Sequence, residues 1–387
     1  MSSPTLPRST VLSRIPSLDG LRALSIFLVV ALHTLQRYNI DHHVWLGWYA
    51  VFNGASGVFI FFEISGFLIT SLLLQEHEKR GTVSLRGFYL RRVFRILPPL
   101  YFYMGVVILL GIFGRLTLNR ADIISGIFFF HNFASHLSMW SMEHLWSISV
   151  EEQFYLWWPL LLIFCLRRPG LAGRFAAARV PIVILIISPV ARVLLGATHA
   201  HPVLHAISTK YLNFDFLMFG CLTALLQHTP RFETIYRFAT RIWWLPPTVM
   251  VICSILAARY ENYFNLPIGY TVNGAAIAMF LLWCTRNPES SVGRILNWKP
   301  IVRIGVLSYS VYIWQTIFLH HKNATVFGRF TWFEVFPVSW LGFFLMANFS
   351  YSVIEQPSLK LRSKVIRSFH LYTQRRSLAR SKQVPST

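Results

Sequence analysis

Charge is scarce in this sequence, and negative charge scarcest: 15 Asp and Glu stand against 36 Lys and Arg, together 13% of 387 residues. A soluble domain carries about 25% charged residues, so a water-exposed globular surface is excluded. Cysteine is also rare. Cys165, Cys221, Cys253 and Cys284 fall singly inside apolar segments without metal-ligand spacing, and read as packing residues. No metal site is expected. Internal repeats, a second soluble domain and any RNA- or DNA-binding motif are missing from the pattern as well.

What is present is hydrophobic: 54% of residues are apolar, 16% aromatic, and mean hydropathy is +0.49. Apolar segments long enough to span a bilayer at about 1.5 Å per residue recur along the chain, separated by short loops rich in Arg, Lys and Pro. The expected fold is all-α, a polytopic membrane helix bundle of about ten transmembrane helices. The spans fall at 18–35, 49–74, 97–112, 147–166, 180–197, 211–227, 243–258, 268–285, 304–320 and 332–354. A piece at 121–133 is too short to cross and reads as re-entrant or interfacial.

With the N-terminus inside, inner loops and tails carry 27 Lys and Arg and outer loops 7, which puts both termini in the cytoplasm. The net charge of +21 is then mostly orientation signal and attraction to anionic membrane lipid, and no nucleic-acid partner is expected. The first 17 residues are polar and the apolar run after them lacks a small-residue cleavage site, so an uncleaved anchor is expected. Eight basic residues between Lys360 and Lys382 form a lipid-facing or disordered tail.

Polar residues inside spans carry the chemical information, because each costs free energy that a purely structural helix avoids. Arg22 and His33 are eleven residues apart, so they project from one helix face about 16 Å apart along its axis. Either they act together, or Arg22 snorkels to the interface and His33 is a satisfied core histidine. Arg91, Arg92 and Arg95 cluster at helical spacing, which suits a polyphosphate, since Arg binds phosphate bidentately and keeps its charge; the plainer alternative is positive-inside charge flanking a span. Pro98 and Pro99 fit the first turn of the helix that follows. Glu151 and Glu152, near His144, lie at the outer end of the span 147–166 and could serve as a solvated surface, acid/base groups or sugar-binding groups. Glu63 stands alone in the run GVFIFFEISGFLITSLLL and must be protonated or paired, with His33 and Arg22 as candidate partners.

The segments SLDGLRALSIFLVVALH, GVFIFFEISGFLIT, FYLRRVFRILPPLY, HLWSISVEEQFYLWWPLLL, LSYSVYIWQ and SYSVIEQP, in this order, resemble the membrane acyltransferase-3 family from about Ile15 to Pro357. The resemblance implies an integral membrane O-acyltransferase. It would move acetyl or another short acyl group from a cytoplasmic acyl-CoA to a hydroxyl of a cell-surface or exported carbohydrate, in a bacterial-type inner membrane, without a metal. It divides the chain into a cytoplasmic tail at 1–14, a membrane acyltransferase domain at 15–357 and a basic cytoplasmic tail at 358–387. It implies that Arg22 and His33 are an essential pair, that Arg92 and Arg95 are coenzyme-side arginines, and that Glu152 is the outer-end glutamate.

Two positions depart from the family pattern: Phe59 stands where an acid is common, and Gln315 where a histidine often follows the Tyr-Ser-x-Tyr-x-Trp element. Glu63, one turn from Phe59 on the same face, is expected either to supply the missing carboxylate or to pair structurally with an arginine. The resulting expectation is that coenzyme phosphates sit on Arg92 and Arg95, the pantetheine arm lies along the Arg22–His33 stripe, and His33 acts as general base. No Ser or Cys nucleophile with a nearby base is recognisable, and Ser65 beside Gly66 reads as a close-packing position, with a possible place beside the donor. An acyl-translocating module serving a separate transferase stays open, as does a secondary transporter, although the paired repeats of the latter are not seen. Only about thirty residues follow Pro357, so no fused transferase domain is expected.

Overall fold

The computed structural model describes residues 15–38, 53–133, 139–196, 212–319, 326–328 and 330–365. Both predicted tails beyond these limits lie outside the described residues. Among the described residues all regular structure is helical, the outcome expected when a bilayer leaves backbone groups no water to bond. In chain order the helices are α1 (Leu18–Tyr38), α2 (Gly54–Arg80), α3 (Leu85–Ile112), α4 (Arg120–Ile127), α5 (Leu145–Leu166), α6 (Gly170–Gly196) and α7 (Asp215–Leu226). There follow α8 (Pro230–Thr240), α9 (Leu245–Phe264), α10 (Tyr270–Arg286), α11 (Ser291–Leu296), α12 (Lys299–Phe318) and α13 (Val338–Ser350).

Among the described residues six helices are long and apolar enough to cross a membrane: α1, α2, α3, α6, α10 with the π turn Asn265–Gly269 that leads into it, and α12. The protein is an integral membrane protein. The other expected spans are shorter, interrupted or more polar. The segment 211–227 supplies only the twelve-residue α7. The segment 332–354 is divided into a 3₁₀ turn, the thirteen-residue α13 and a π turn at Tyr351–Glu355. The segment 147–166 is a full-length helix that carries Glu151, Glu152 and Gln153. The short piece at 121–133 is the eight-residue α4 followed by a 3₁₀ turn at His131–Phe133, too short to cross.

Local chemistry sets the helix limits. Asn53, Ser84 and Asn119 each cap a helix start by accepting from a backbone N–H within the first turn. Gly81 ends α2 in the left-handed region at φ 70°, where a Cβ would be strained. Pro98 and Pro99 do not open a helix as the sequence suggested. The helix α3 begins thirteen residues before Pro98, at the Ser84 cap, and both prolines lie inside it. A proline at position 98 withholds the donor that would satisfy the Phe94 carbonyl, and the Ser358 hydroxyl donates to that carbonyl instead, at 2.7 Å. The basic segment Arg91–Arg95 is thereby continuous with the apolar helix below it.

The core is built around α2, which packs on α1 and α7, with α12 against the other side of α1. α2 and α7 touch backbone to backbone: a methyl group at Gly66 would overlap the Leu217 carbonyl, and one at Gly220 the Glu63 carbonyl. Such small-residue crossings are how membrane helices gain dispersion contact without a hydrophobic drive between them. In α5 the faces divide cleanly: Phe154, Trp158 and Leu162 are fully buried, whereas Leu156, Leu160 and Phe164, also at four-residue spacing, are exposed. The exposed stripe is apolar enough to meet lipid.

Candidate active site

A cleft with about 750 Å³ of empty space, its open mouth included, lies between α1, α2, α3, α5 and α12. Each helix contributes a polar group at helical spacing: Arg22 from α1, Ser65 from α2, Arg92 and Arg95 from α3, Glu151 and Glu152 from α5, Ser308, Tyr309 and Tyr312 from α12. Six of these nine are sequence-predicted candidates. Five chain segments thus converge on one pocket in which charged and hydroxyl groups are set among apolar side chains such as Val58, Phe62 and Ile148.

The arginines differ in what already holds them. Arg22 is bound to Asp19 at 2.9 Å, one turn earlier. Arg91 points away from the cleft and pairs with Glu76 at 3.3 Å. Arg92 and Arg95 make no hydrogen bond or salt bridge among the described residues. The Arg92 guanidinium lies over the Tyr155 ring, 4.7 Å from its centroid, a stacking that fixes the plane of the fork without using its N–H donors. Next to it the Ser65 hydroxyl donates to Glu151 Oε1 at 2.7 Å and accepts from the hydroxyl of the same Tyr155 at 3.1 Å. Ser65 therefore holds a carboxylate, beyond the packing role its sequence context suggested. Glu152 Oε1 is buried without a hydrogen-bond partner among the described residues.

Glu151 and Glu152 share this cleft with the arginines, which corrects the expectation that they sit apart at the outer end of their span. They lie in the second turn of α5, which starts at Leu145, so about 10 Å of helix separates them from its N-terminal end. Ser308, Tyr309 and Tyr312 are the three of these nine that composition and charge did not single out. The signal for them was the spacing in LSYSVYIWQ, where positions 308, 309 and 312 share a helix face. The Tyr309 hydroxyl donates to the Ile96 carbonyl at 2.9 Å. The Tyr312 hydroxyl bonds Ser147 Oγ at 2.6 Å and donates to the His144 carbonyl at 3.1 Å.

His33 lies beyond the cleft, along the bundle. The groups that act on it are Gln315 and Glu143, and it in turn acts on His144. Gln315 is fully buried, His144 is 4% exposed, and neither side chain has a hydrogen-bond partner among the described residues. Three helices measured separately give the offset between this histidine level and the cleft: about 16 Å from His33 to Arg22, and about 10 Å both from His144 to Glu151 and from Gln315 to Ser308. The Arg22–His33 stripe therefore runs from the arginine cleft to a second, buried cluster of polar side chains, with Tyr312 between them.

Glu63 is not part of either. It is fully buried, both carboxyl oxygens lack a hydrogen-bond partner among the described residues, and the charged group acting on it is Asp215, itself paired with the buried Arg192. Neither His33 nor Arg22 is bonded to it. Phe59 does face the same way, stacked on Phe216 of α7 with ring centroids 3.9 Å apart. Positions 59 and 63 thus look toward α7, away from the cleft.

Residues 15–354 match the family described as the Acyltransferase domain, nearly the whole chain. The chain belongs to the acyltransferase-3 family. Among curated relatives it is 29% identical over 377 residues to a putative peptidoglycan O-acetyltransferase, YrhL, of Bacillus subtilis, covering 92% of this chain and 56% of that protein. It is 29% identical over 375 residues to the peptidoglycan O-acetyltransferase OatA of Listeria monocytogenes, covering 92% and 58%. The O-acetyltransferase OatA of Staphylococcus aureus is 27% identical over 388 residues, covering 94% and 60%. The chain therefore spans less than two thirds of the length of these relatives. No solved structure matches it. No cluster of three or more His, Cys, Asp or Glu suited to a metal ion occurs among the described residues.

Proposed function

We propose that the protein is a membrane O-acetyltransferase that takes an acetyl or other short acyl group from cytoplasmic acyl-CoA and delivers it to a hydroxyl of a cell-surface or exported carbohydrate. Two arginines, Arg92 and Arg95, line a cleft without a protein carboxylate bonded to either, and this is the observation that carries the reading. Guanidinium groups held in a half-buried cleft with their donors unused suit the phosphates of a coenzyme. Peptidoglycan is the acceptor class suggested by the relatives' names.

In this reading the coenzyme phosphates rest on Arg92 and Arg95, and the pantetheine arm passes Arg22 and Tyr312 toward His33. His33 takes the proton of the acceptor hydroxyl as that oxygen attacks the thioester carbon, and returns it to the departing coenzyme sulfur. Glu152 and Glu151, in the same cleft, keep it near electrical balance. The 27 to 7 asymmetry of basic residues supports an orientation with both termini and the mouth of the cleft toward the cytoplasm. The relatives' extra length favours one alternative, in which the chain passes acyl groups to a separate transferase. Purified protein supplied with labelled acetyl-CoA and soluble glycan separates the two: label on the glycan supports direct transfer, and thioester breakdown independent of glycan supports the translocating role.

A further inference from the structure

Four buried hydrogen-bonding atoms lie at the histidine level without a partner among the described residues. His144 Nδ1 and Nε2 and Gln315 Nε2 and Oε1 are buried and have no partner among the described residues. Buried polar groups are almost always bonded, so orphans lying side by side call for a partner from outside the chain. Their scaffolds are rigid. The His144 carbonyl accepts from the Tyr312 hydroxyl at 3.1 Å, with Ser147 Oγ 2.6 Å from that hydroxyl and 3.1 Å from the carbonyl, and its ring packs edge-on against Tyr103 and Tyr312, centroids 5.5 Å apart in both cases. Gln315 lies in a run of buried residues on α12 and approaches His33 without hydrogen-bond geometry. Main chain and rings fix His144 while its ring nitrogens stay without a partner among the described residues. Tyr312, which lines the arginine cleft, is also the neighbour of His144. A thioester whose coenzyme end sits on Arg92 and Arg95 would arrive at His144 and Gln315.

We propose that the Gln315 amide and the His144 imidazole donate hydrogen bonds to the thioester carbonyl oxygen and hold its negative charge during transfer at His33. The inference rests on the acyl-CoA reading and deepens it. The acceptor oxygen bonds to the carbonyl carbon as its proton goes to His33. The carbonyl oxygen becomes an oxyanion, held by one N–H of Gln315 and the single N–H of a neutral His144 without proton transfer. Collapse re-forms the carbonyl, breaks the carbon–sulfur bond and hands the His33 proton to the coenzyme thiolate, so products are the ester and the free thiol. The amide at 315 serves this role because it keeps a donor at every pH.

The test uses the full purified chain, acetyl-CoA labelled with ¹³C at the carbonyl, and isotope-edited infrared spectra of the bound thioester. The expected result is a carbonyl stretch shifted to lower frequency on binding. Gln315→Met and His144→Leu should each lose part of that shift and about 10²–10³-fold in kcat, with acetyl-CoA affinity nearly unchanged. His144→Gln, which retains a donor, should recover both in part. His33→Ala should slow transfer about 10²-fold or more yet keep the shift, which a role of Gln315 in merely orienting His33 does not predict. A wild-type carbonyl frequency in both Gln315→Met and His144→Leu overturns the inference and leaves the donor reading intact. Failure of wild-type protein to bind acetyl-CoA overturns both. If His144→Leu does not fold, Gln315→Met decides alone.

Discussion

Four arginines surround the cleft region, and their partners rank them. Arg22 and Arg91 are neutralised by Asp19 and Glu76, while Arg92 and Arg95 are not. Substituting Arg92 or Arg95 by Ala should weaken coenzyme A binding by direct titration, with little effect on the folded fraction, and Lys should rescue only in part because it lacks the planar fork. Arg91→Ala should leave binding nearly unchanged. His33→Ala should bind donor normally and slow transfer about 10²-fold or more, the usual scale for a lost general base. Glu63→Gln should keep specific activity per folded molecule, because Glu63 faces α7 and the Asp215–Arg192 pair rather than the cleft. A loss beyond about tenfold, the scale of a residue acting in the reaction, with normal folding would place it there. Arg22, Arg92 and Arg95 were legible as candidates from helical spacing and family resemblance, whereas the bond from Ser65 to Glu151 was not. The shared depth of Glu151 and Glu152 was not, because it depends on how far α5 slides against helices about sixty or more residues away in sequence.

At the scale of elements, continuity of α3 through Pro98 and Pro99 is what places the arginines. Sequence alone made these prolines a helix start, since proline is well tolerated in a first turn; the compensating donor, Ser358, lies some 260 residues later. Ser358→Ala should leave the Phe94 carbonyl without that donor and cost about 1 kcal/mol, read as a lowered thermal midpoint in detergent. The α2–α7 crossing has less tolerance. Gly220→Leu should separate the helices at Glu63 and reduce the folded fraction strongly, whereas Ala at the exposed Leu160 should not.

For the whole molecule, hydropathy correctly announced an all-helical membrane protein, and the six full-length apolar helices are its clearest part. The expected count of about ten spans is not confirmed among the described residues, where π and 3₁₀ turns divide apolar stretches that read as continuous in sequence. Topology reporters fused after Glu78, Arg174 and the C-terminus should all report cytoplasm, and one after Asp41 should report the outside. An external C-terminus would overturn the orientation.

The most direct test of the account is transfer across a bilayer. In sealed proteoliposomes sorted by orientation, labelled acetyl-CoA is supplied only on the cytoplasmic face and soluble peptidoglycan glycan only on the opposite face. The account predicts base-labile label on the glycan, lost in the Arg92→Ala/Arg95→Ala double variant and in His33→Ala. Label appearing only as free acetate, at a rate indifferent to the glycan, would contradict it.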